Sequence, residues 1–272
     1  MPELPEVEVS RLGVSQHLNG EVITDIVIRT PKLRWDIPKA DLAKLVGQKI
    51  TAISRRAKYL IIETVIGHII IHLGMSGSLR VIDSTTELKK HDHVDVAVGN
   101  KVLRLNDPRR FGAVLYANES GEHKVFEKLG PEPLTDAFSA QHLIAKCSKR
   151  KAAIKLVIMD NPVVVGVGNI YANEALFLTG IHPLTPANQV STAKLIALTQ
   201  TIKDVLAAAI KQGGTTLKDF SQTDGKPGYF AQSLFVYGRE GEACLRCKTI
   251  LKAVKIGQRA STYCKKCQPI DM

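Results

Sequence analysis

The sequence predicts an α+β protein: an N-terminal helix and a set of short antiparallel strands precede a helical second half and a four-cysteine module. Three observations predict it. Short apolar-rich runs separated by close turns fill the region from Val22 to Tyr116, the pattern of an antiparallel sandwich or barrel. Beyond Asp136 the apolar spacing changes to the helical period. Cys244, Cys247, Cys264 and Cys267 then close the chain as two CxxC pairs.

Glu3 to Leu18 reads as a short amphipathic helix. Strands are expected at Val22–Arg29, Tyr59–Thr64, His68–Leu73, Leu79–Ile82, Val94–Val98, Val102–Leu105 and Ala113–Tyr116. Gly99-Asn100 is a two-residue loop suited to a primed hairpin turn. Asn118 to Asp136 mixes charges with Gly121, Gly130, Pro131 and Pro133 and reads as a linker. Helices are expected over Phe138–Cys147, Ala152–Met159, Asn169–Thr179 and Thr192–Lys211. A glycine-rich stretch from Gly213 to Tyr229 reads as a mobile loop.

The chain has 272 residues, 44% of them hydrophobic, which suits a folded protein of one large or two moderate domains. Its 37 Lys and Arg exceed its 26 Asp and Glu, giving a net charge of +11. That balance attracts polyanions and says nothing about fold. The opening Met1-Pro2-Glu3-Leu4-Pro5-Glu6 is acidic and proline-punctuated, unlike a signal peptide, and no apolar run reaches membrane-spanning length. A cytoplasmic protein, monomeric and free of membrane contact, is expected.

Sixteen residues separate the two CxxC pairs, a spacing that suits one tetrahedral zinc ion bound by four thiolates. Four protein ligands leave no open position, so one structural zinc ion per chain is expected. In a reducing compartment this reading is preferred to disulfides. The segment from Glu242 to Met272 carries seven Lys and Arg against two acids, so it remains basic and suits a phosphate backbone. Cys147, alone on a helix, reads as a small buried hydrophobe.

Longer motifs run through the whole chain. They include Met1-Pro2-Glu3-Leu4-Pro5-Glu6-Val7-Glu8, Arg56-Ala57-Lys58-Tyr59-Leu60, His72-Leu73-Gly74-Met75-Ser76-Gly77 and His91-Asp92-His93. Asp107-Pro108-Arg109-Arg110-Phe111-Gly112, Gly166-Val167-Gly168-Asn169-Ile170-Tyr171 and Gln258-Arg259 follow. Together they resemble the bacterial formamidopyrimidine-DNA glycosylases. The resemblance implies an N-terminal helix with a β-sandwich, then a helix-two-turn-helix domain and a C-terminal four-cysteine zinc finger, with DNA between the two domains. It divides the chain into a catalytic β-sandwich domain over 1–117, a linker over 118–136, a helix-two-turn-helix domain over 137–235 and a zinc finger over 236–272. The implied activity is excision of oxidised purines, 8-oxoguanine and formamidopyrimidines, from double-stranded DNA in the bacterial cytoplasm, in association with the nucleoid. Strand cleavage by β,δ-elimination would follow.

Removal of Met1 would expose the secondary amine of Pro2. An α-amino group titrates near 7.7–8.0, so roughly 10% is unprotonated at pH 7, against under about 0.1% of a lysine. Such an amine can attack C1′ of the damaged nucleotide and form an iminium ion. Glu3, Glu6 and Glu8 lie where a helix start favours carboxylates, and for Glu8 that role suffices. The resemblance makes Glu3 the acid for base loss and deoxyribose opening, and Glu6 a positioning group in the lesion pocket. It makes Lys58 the proton donor for β-elimination and assigns Arg259 to δ-elimination. An arginine is hard to deprotonate, so Arg259 is read mainly as a phosphate clamp.

A base inside a duplex must leave the stack to reach Pro2. By resemblance Met75, Arg109 and Phe111 fill the gap, although Met75 and Phe111 would ordinarily be core residues. The Pro/Gly-bounded run from Asp107 to Gly112 instead argues for a loop tip. Asn169 reads as a helix N-cap and, at a glycine-flanked helix start, as a phosphate contact. His72, His91, Arg110 and Lys151 are further DNA contacts implied by resemblance, while His93 is left undecided. Thr215, Thr216 and Lys218 would close over the extruded base. Two other readings stand beside this one: a related endonuclease VIII-type glycosylase for oxidised pyrimidines, and a non-enzymatic zinc-ribbon DNA-binding protein.

Overall fold

The computed structural model describes residues 2–215 and 234–270. Thr216, Lys218 and most of the glycine-rich loop lie outside the described residues. The chain divides into two units, Met1–Glu127 with Gln212–Ala231, and Lys128–Lys211 with Gln232–Met272.

The first unit begins with α1 (Leu4–Leu18), which starts with Pro5 in its first turn. The missing N–H of proline costs nothing there. Two four-stranded antiparallel sheets follow. One has the order β1 (Ile23–Ile28), β6 (Asp92–Val98), β7 (Lys101–Asn106), β5 (Ser78–Asp83). The other runs β2 (Ala52–Arg56), β3 (Tyr59–Glu63), β4 (Gly67–His72), β8 (Ala113–Asn118). A short helix, α2 (Lys39–Ala43), follows β1.

Strand alternation builds the core. Leu60, Ile62, Ile69, Ile71 and Val114 of one sheet join Val94, Val96, Leu103 and Leu105 of the other, together with Val7, Val14 and Leu18 of α1. The run Ile69-Ile70-Ile71 breaks the alternation because both faces of β4 are covered. Ile70 turns to a second cluster with Ala113, Leu115, Val125 and Phe126. The expected hairpin at Gly99-Asn100 is present, pairing Val98 with Lys101 with Gly99 at φ 52°.

Strand β2 and helix α2 were not expected. Only Ile53 of β2 is buried, so its sequence lacks the apolar alternation that marks a strand. Glu8 also does more than favour a helix start. It ion-pairs with Arg11 at 2.6 Å and with Arg55 of β2 at 2.8 Å, tying α1 to the sheet. Burial acts to raise its carboxyl, but the two guanidiniums outweigh this and hold it below the usual range.

On the other face of β6 and β7, Asp95 and Arg104 are cross-strand partners. Arg104 donates to both carboxylate oxygens of Asp95, at 2.9 and 2.8 Å, and Arg29 adds a bond of 2.7 Å. Arg104 also donates to the carbonyls of Thr86 and Glu87, which draws the loop before His91 across the sheet.

The second unit holds α3 (Ala140–Cys147), α4 (Ile154–Ile158), α5 (Asn169–Leu178) and α6 (Thr192–Lys211). Helix α3 is capped by Ser139, whose hydroxyl accepts from the His142 N–H. Between α4 and α5 the chain makes tight turns in which Val163, Val164, Val165 and Val167 are buried. A hairpin of β9 (Lys252–Ile256) and β10 (Arg259–Tyr263) completes the unit. Both residues of its turn, Gly257 and Gln258, have positive φ, the requirement of a type I′ turn.

Candidate functional site

In the first unit, Pro2, Glu3 and Glu6 are all buried at the start of α1, Glu3 at 1% and Glu6 at 0% exposure. The carboxylate of Glu6 is shared. Its Oε2 accepts the Glu3 N–H at 2.8 Å, the reach-back half of a capping box. Its Oε1 accepts the Thr215 N–H at 3.0 Å. Thr215 follows Gly213 and Gly214, whose φ values of 77° and 78° lie in the left-handed region that favours glycine. Glu6 therefore ties the helix start to the root of the glycine-rich loop.

Lys58 stands on the two-residue turn between β2 and β3, where Ala57 takes a φ of 53°. A cavity of about 540 Å³ lies on the same unit, lined by Leu33, Arg34, His72, Gly74, Met75, Arg110 and Phe111. Met75 and Phe111 are exposed, at 39% and 45%, which excludes the core role their side chains suggest. Arg109 lies over the Phe111 ring, 5.0 Å from its centroid. Arg110, at φ 54°, and His91, at φ 74°, both sit on strained turns.

His72 is packed against Tyr59, with ring centroids 4.8 Å apart. Burial first, then the charges of Lys58 and Arg34, pushes its pKa down to about 4. Its Nδ1 accepts the Gly74 N–H at 3.0 Å, so the neutral ring carries its proton on Nε2. His72 thus offers a donor without a charge. Arg34, which sequence reasoning missed, supplies charge instead. Its backbone N–H donates to the Gly112 carbonyl at 3.0 Å, and its guanidinium stacks on Trp35 at 4.6 Å.

His93, undecided from sequence, is buried with both ring nitrogens engaged. Nε2 donates to the Asp107 carbonyl at 2.9 Å, which leaves Nδ1 to accept from the Thr30 hydroxyl at 2.9 Å.

The second unit carries Lys151, Asn169, Arg259 and the cysteines. Lys151 is exposed ahead of α4. Asn169 is not the N-cap. Gly168 holds that position, and Asn169 is the first residue of α5. Its side chain accepts from Lys155 Nζ at 2.6 Å and donates to the Ala260 carbonyl at 3.1 Å, beside Arg259. Lys155, 1% exposed, also donates to Ser261 Oγ at 2.5 Å. One buried ammonium thus fixes the helix start and the zinc hairpin together. Nothing in the local sequence distinguished Lys155 from other helical lysines.

Glu174, on the same helix as Asn169, accepts from three successive N–H groups, those of Phe235, Val236 and Tyr237, at 2.7, 3.0 and 2.8 Å. Gln268 bolts the last knuckle down, accepting from the Cys264 N–H and donating to the Ile181 carbonyl. Arg246 covers Phe177 at 4.8 Å. The zinc module is part of the helical unit's core.

The four cysteine Sγ atoms lie within 4.8 Å of one another. The pairs Cys244–Cys267 and Cys247–Cys264 are 3.9 and 3.4 Å apart, beyond disulfide bonding and close to the roughly 3.8 Å edge of a tetrahedral zinc–thiolate site. Burial and the neighbouring thiols push Cys267 up to about 12. Four thiolates so crowded require a cation, and the donor set fits zinc.

Among the described residues, no helix is long and apolar enough to cross a membrane. Three family models match the chain in order. They are the formamidopyrimidine-DNA glycosylase N-terminal domain over residues 1–114, the H2TH domain of the same enzymes over 129–221, and a zinc finger found in FPG and IleRS over 241–270. A formamidopyrimidine-DNA glycosylase of Vibrio atlanticus is 60% identical over 269 residues, covering 98% of this chain and all of that one. Wild-type Lactococcus lactis Fpg, in complex with an N7-benzyl-Fapy-dG containing DNA, superposes with a TM-score of 0.91 at 33% identity, covering 98% of this chain and 100% of that one. The same wild-type enzyme with an oxidised-pyrimidine containing DNA superposes with a TM-score of 0.90 over the same shares at 33% identity. Matched along its length by these models and by a relative of this identity, the chain belongs to the formamidopyrimidine-DNA glycosylase family.

Proposed function

We propose that this glycosylase removes oxidised purines from duplex DNA through an iminium on Pro2 and then cleaves the strand. The observation that carries the reading is the pair of buried carboxylates, Glu3 and Glu6, at the helix start that Pro2 immediately precedes. With Met1 removed, the Pro2 nitrogen bonds to C1′ and the C1′–base bond breaks, its electron pair leaving with the base. Glu3 gives its proton to the departing base, takes up the N–H proton that Pro2 releases once bonded to C1′, and passes it to the deoxyribose ring oxygen as the ring opens to the iminium. The iminium is an electron sink: loss of a C2′ proton breaks C3′–O, and loss of a C4′ proton from the conjugated product then breaks C5′–O.

Lys58 protonates and holds phosphate at the β step, and Arg259 clamps phosphate beside Asn169. Met75, Arg109 and Phe111 enter the stack where the base leaves. His72, His91, Arg110 and Lys151 contact the backbone, and Arg34 joins them from the cavity it shares with His72 and Arg110. The bacterial relatives and the DNA substrate support action at the nucleoid in the cytoplasm.

One relative was solved with an oxidised pyrimidine, so substrate preference needs its own test. Single-turnover excision is compared on duplexes holding 8-oxoguanine opposite cytosine and thymine glycol opposite adenine. Faster excision of 8-oxoguanine is expected. Faster excision of thymine glycol would overturn the purine assignment.

A further inference from the structure

We infer that Asp107 is the positioning residue that locks the two DNA-intercalating loops into one rigid wedge. This inference rests on the reading of Met75, Arg109 and Phe111 as the wedge. Asp107 is fully buried, yet among the described residues it is not ion-paired in the manner of Asp92 or Asp95. Its Oδ1 accepts from Ser76 Oγ at 3.1 Å, one residue beyond Met75. Its Oδ2 accepts from the Gly112 N–H at 2.8 Å, one residue beyond Phe111. A single carboxylate thus spans both loops.

The backbone of Asp107 extends the lock. Its carbonyl accepts from His93 Nε2, and its N–H donates to the His91 carbonyl at 3.1 Å. The loops themselves touch main chain to main chain. A Cβ on Gly74, at φ 63°, would stand 2.4 Å from the Gly112 nitrogen, and one on Gly112 would stand 2.7 Å from the His72 carbonyl oxygen. No side chain fits between them; the pairing of His72 with Ala113 brings the loop bases together, and the hydrogen bonds to Asp107 tie the loops beyond it.

A wedge must hold its shape against a stacked duplex, because the stack resists being opened. A loop free to fold back would yield before the DNA does. The role of Asp107 is therefore geometric, and it acts on base extrusion without touching the bond-breaking steps at Pro2.

Variants at Asp107 and Ser76 test this. Asp107→Ala leaves the Gly112 N–H and the Ser76 hydroxyl without their acceptor. Asp107→Asn can still accept from Gly112 through Oδ1 and donate to Ser76 Oγ through Nδ2. Single-turnover cleavage is measured on two substrates, a duplex with 8-oxoguanine opposite cytosine and a single strand with a preformed abasic site. The single strand has no stack to open.

Asp107→Ala is expected to slow the duplex reaction about tenfold or more, the effect of losing a bond to a charged acceptor, while cleavage of the single strand stays within about twofold. Asp107→Asn should recover to within about threefold. If Asp107→Ala does not fold, Ser76→Ala is used instead and should show the same duplex-only loss at about threefold. Equal losses on both substrates would overturn the inference, as would an Asn variant as slow as the Ala variant, since charge and not geometry would then matter. Phe111→Ala and Met75→Ala are run alongside. If these leave the duplex reaction unchanged, the wedge reading itself fails. If they slow it while Asp107→Ala does not, only the inference fails.

Discussion

His72 and Arg110 line one cavity, yet only the loss of Arg110 should change how DNA binding depends on salt. Burial and the nearby charges of Lys58 and Arg34 hold His72 down to about 4, so at neutral pH its ring is neutral. Its Nδ1 is occupied by the Gly74 N–H, which leaves an Nε2–H to donate. A neutral donor gains affinity from one hydrogen bond to phosphate, about 1.5–3 kcal/mol or roughly ten- to a hundredfold, and releases no counterion. Each phosphate neutralised by an arginine instead contributes about −0.9 to the slope of log K against log salt.

Binding of a lesion-containing duplex to catalytically blocked protein is followed by fluorescence anisotropy over a series of potassium chloride concentrations. His72→Ala should weaken binding at every concentration and leave the slope unchanged. Arg110→Ala and Arg34→Ala should each flatten the slope by about 0.9. A His72 variant that flattens the slope as Arg110→Ala does would refute the assignment of a neutral ring. It would mean that His72 meets DNA as a cation.

Arg104→Leu would strip the principal partner from Asp95, whose ion pair is buried, and should cost about 3–5 kcal/mol, read as a lowered Tm. In the wild type, burial raises Asp95 but the Arg104 and Arg29 bonds outweigh it and hold its carboxyl below the usual 3.8. The stability it contributes is therefore present above about pH 4 and is lost as pH falls through its folded value, which acid titration of Tm will show. Cys244→Ser should lose zinc and DNA binding together, with catalysis falling only as a consequence; a variant that binds normally but cannot cleave would contradict this. Gly74→Ala would place a methyl 2.4 Å from the Gly112 nitrogen on a backbone at φ 63°, so excision from duplex should collapse beyond the effect of Asp107→Ala.

Much of the frame was legible because it is written in local signals. The CxxC spacing, the glycine-bounded turns and the period change after the linker each depend on neighbours within a few residues. Strand β2 escaped because its partner strand, α1 and Glu8 compensate for polar residues that alternation alone would reject. The run of three isoleucines in β4 marked a buried strand, but only the packing of Val125 and Phe126 explains its second apolar face.

The site divides the same way. Exposed Phe111 follows from the proline- and glycine-bounded run in which it sits, and exposed Met75 from its place between Gly74 and Gly77. By contrast, His93, Asp107, Lys155 and Glu174 act through bonds that join residues distant in the chain. Asp107 reaches back 31 residues to Ser76, and Lys155 reaches 106 residues to Ser261. No local pattern encodes such pairings. A buried lysine and a surface lysine on a short helix look alike until the fold places one of them.

In the proposed reaction the Pro2 nitrogen forms the covalent intermediate. Processed protein is incubated with duplex holding 8-oxoguanine opposite cytosine in the presence of sodium borohydride, which reduces an iminium to a stable amine. The adduct is then digested and mapped by mass spectrometry. A one-to-one protein–DNA adduct on the N-terminal peptide at Pro2 is expected, absent when Met1 is retained. An adduct mapped to Lys58 or another lysine, or rapid excision with no trapped adduct, would contradict it.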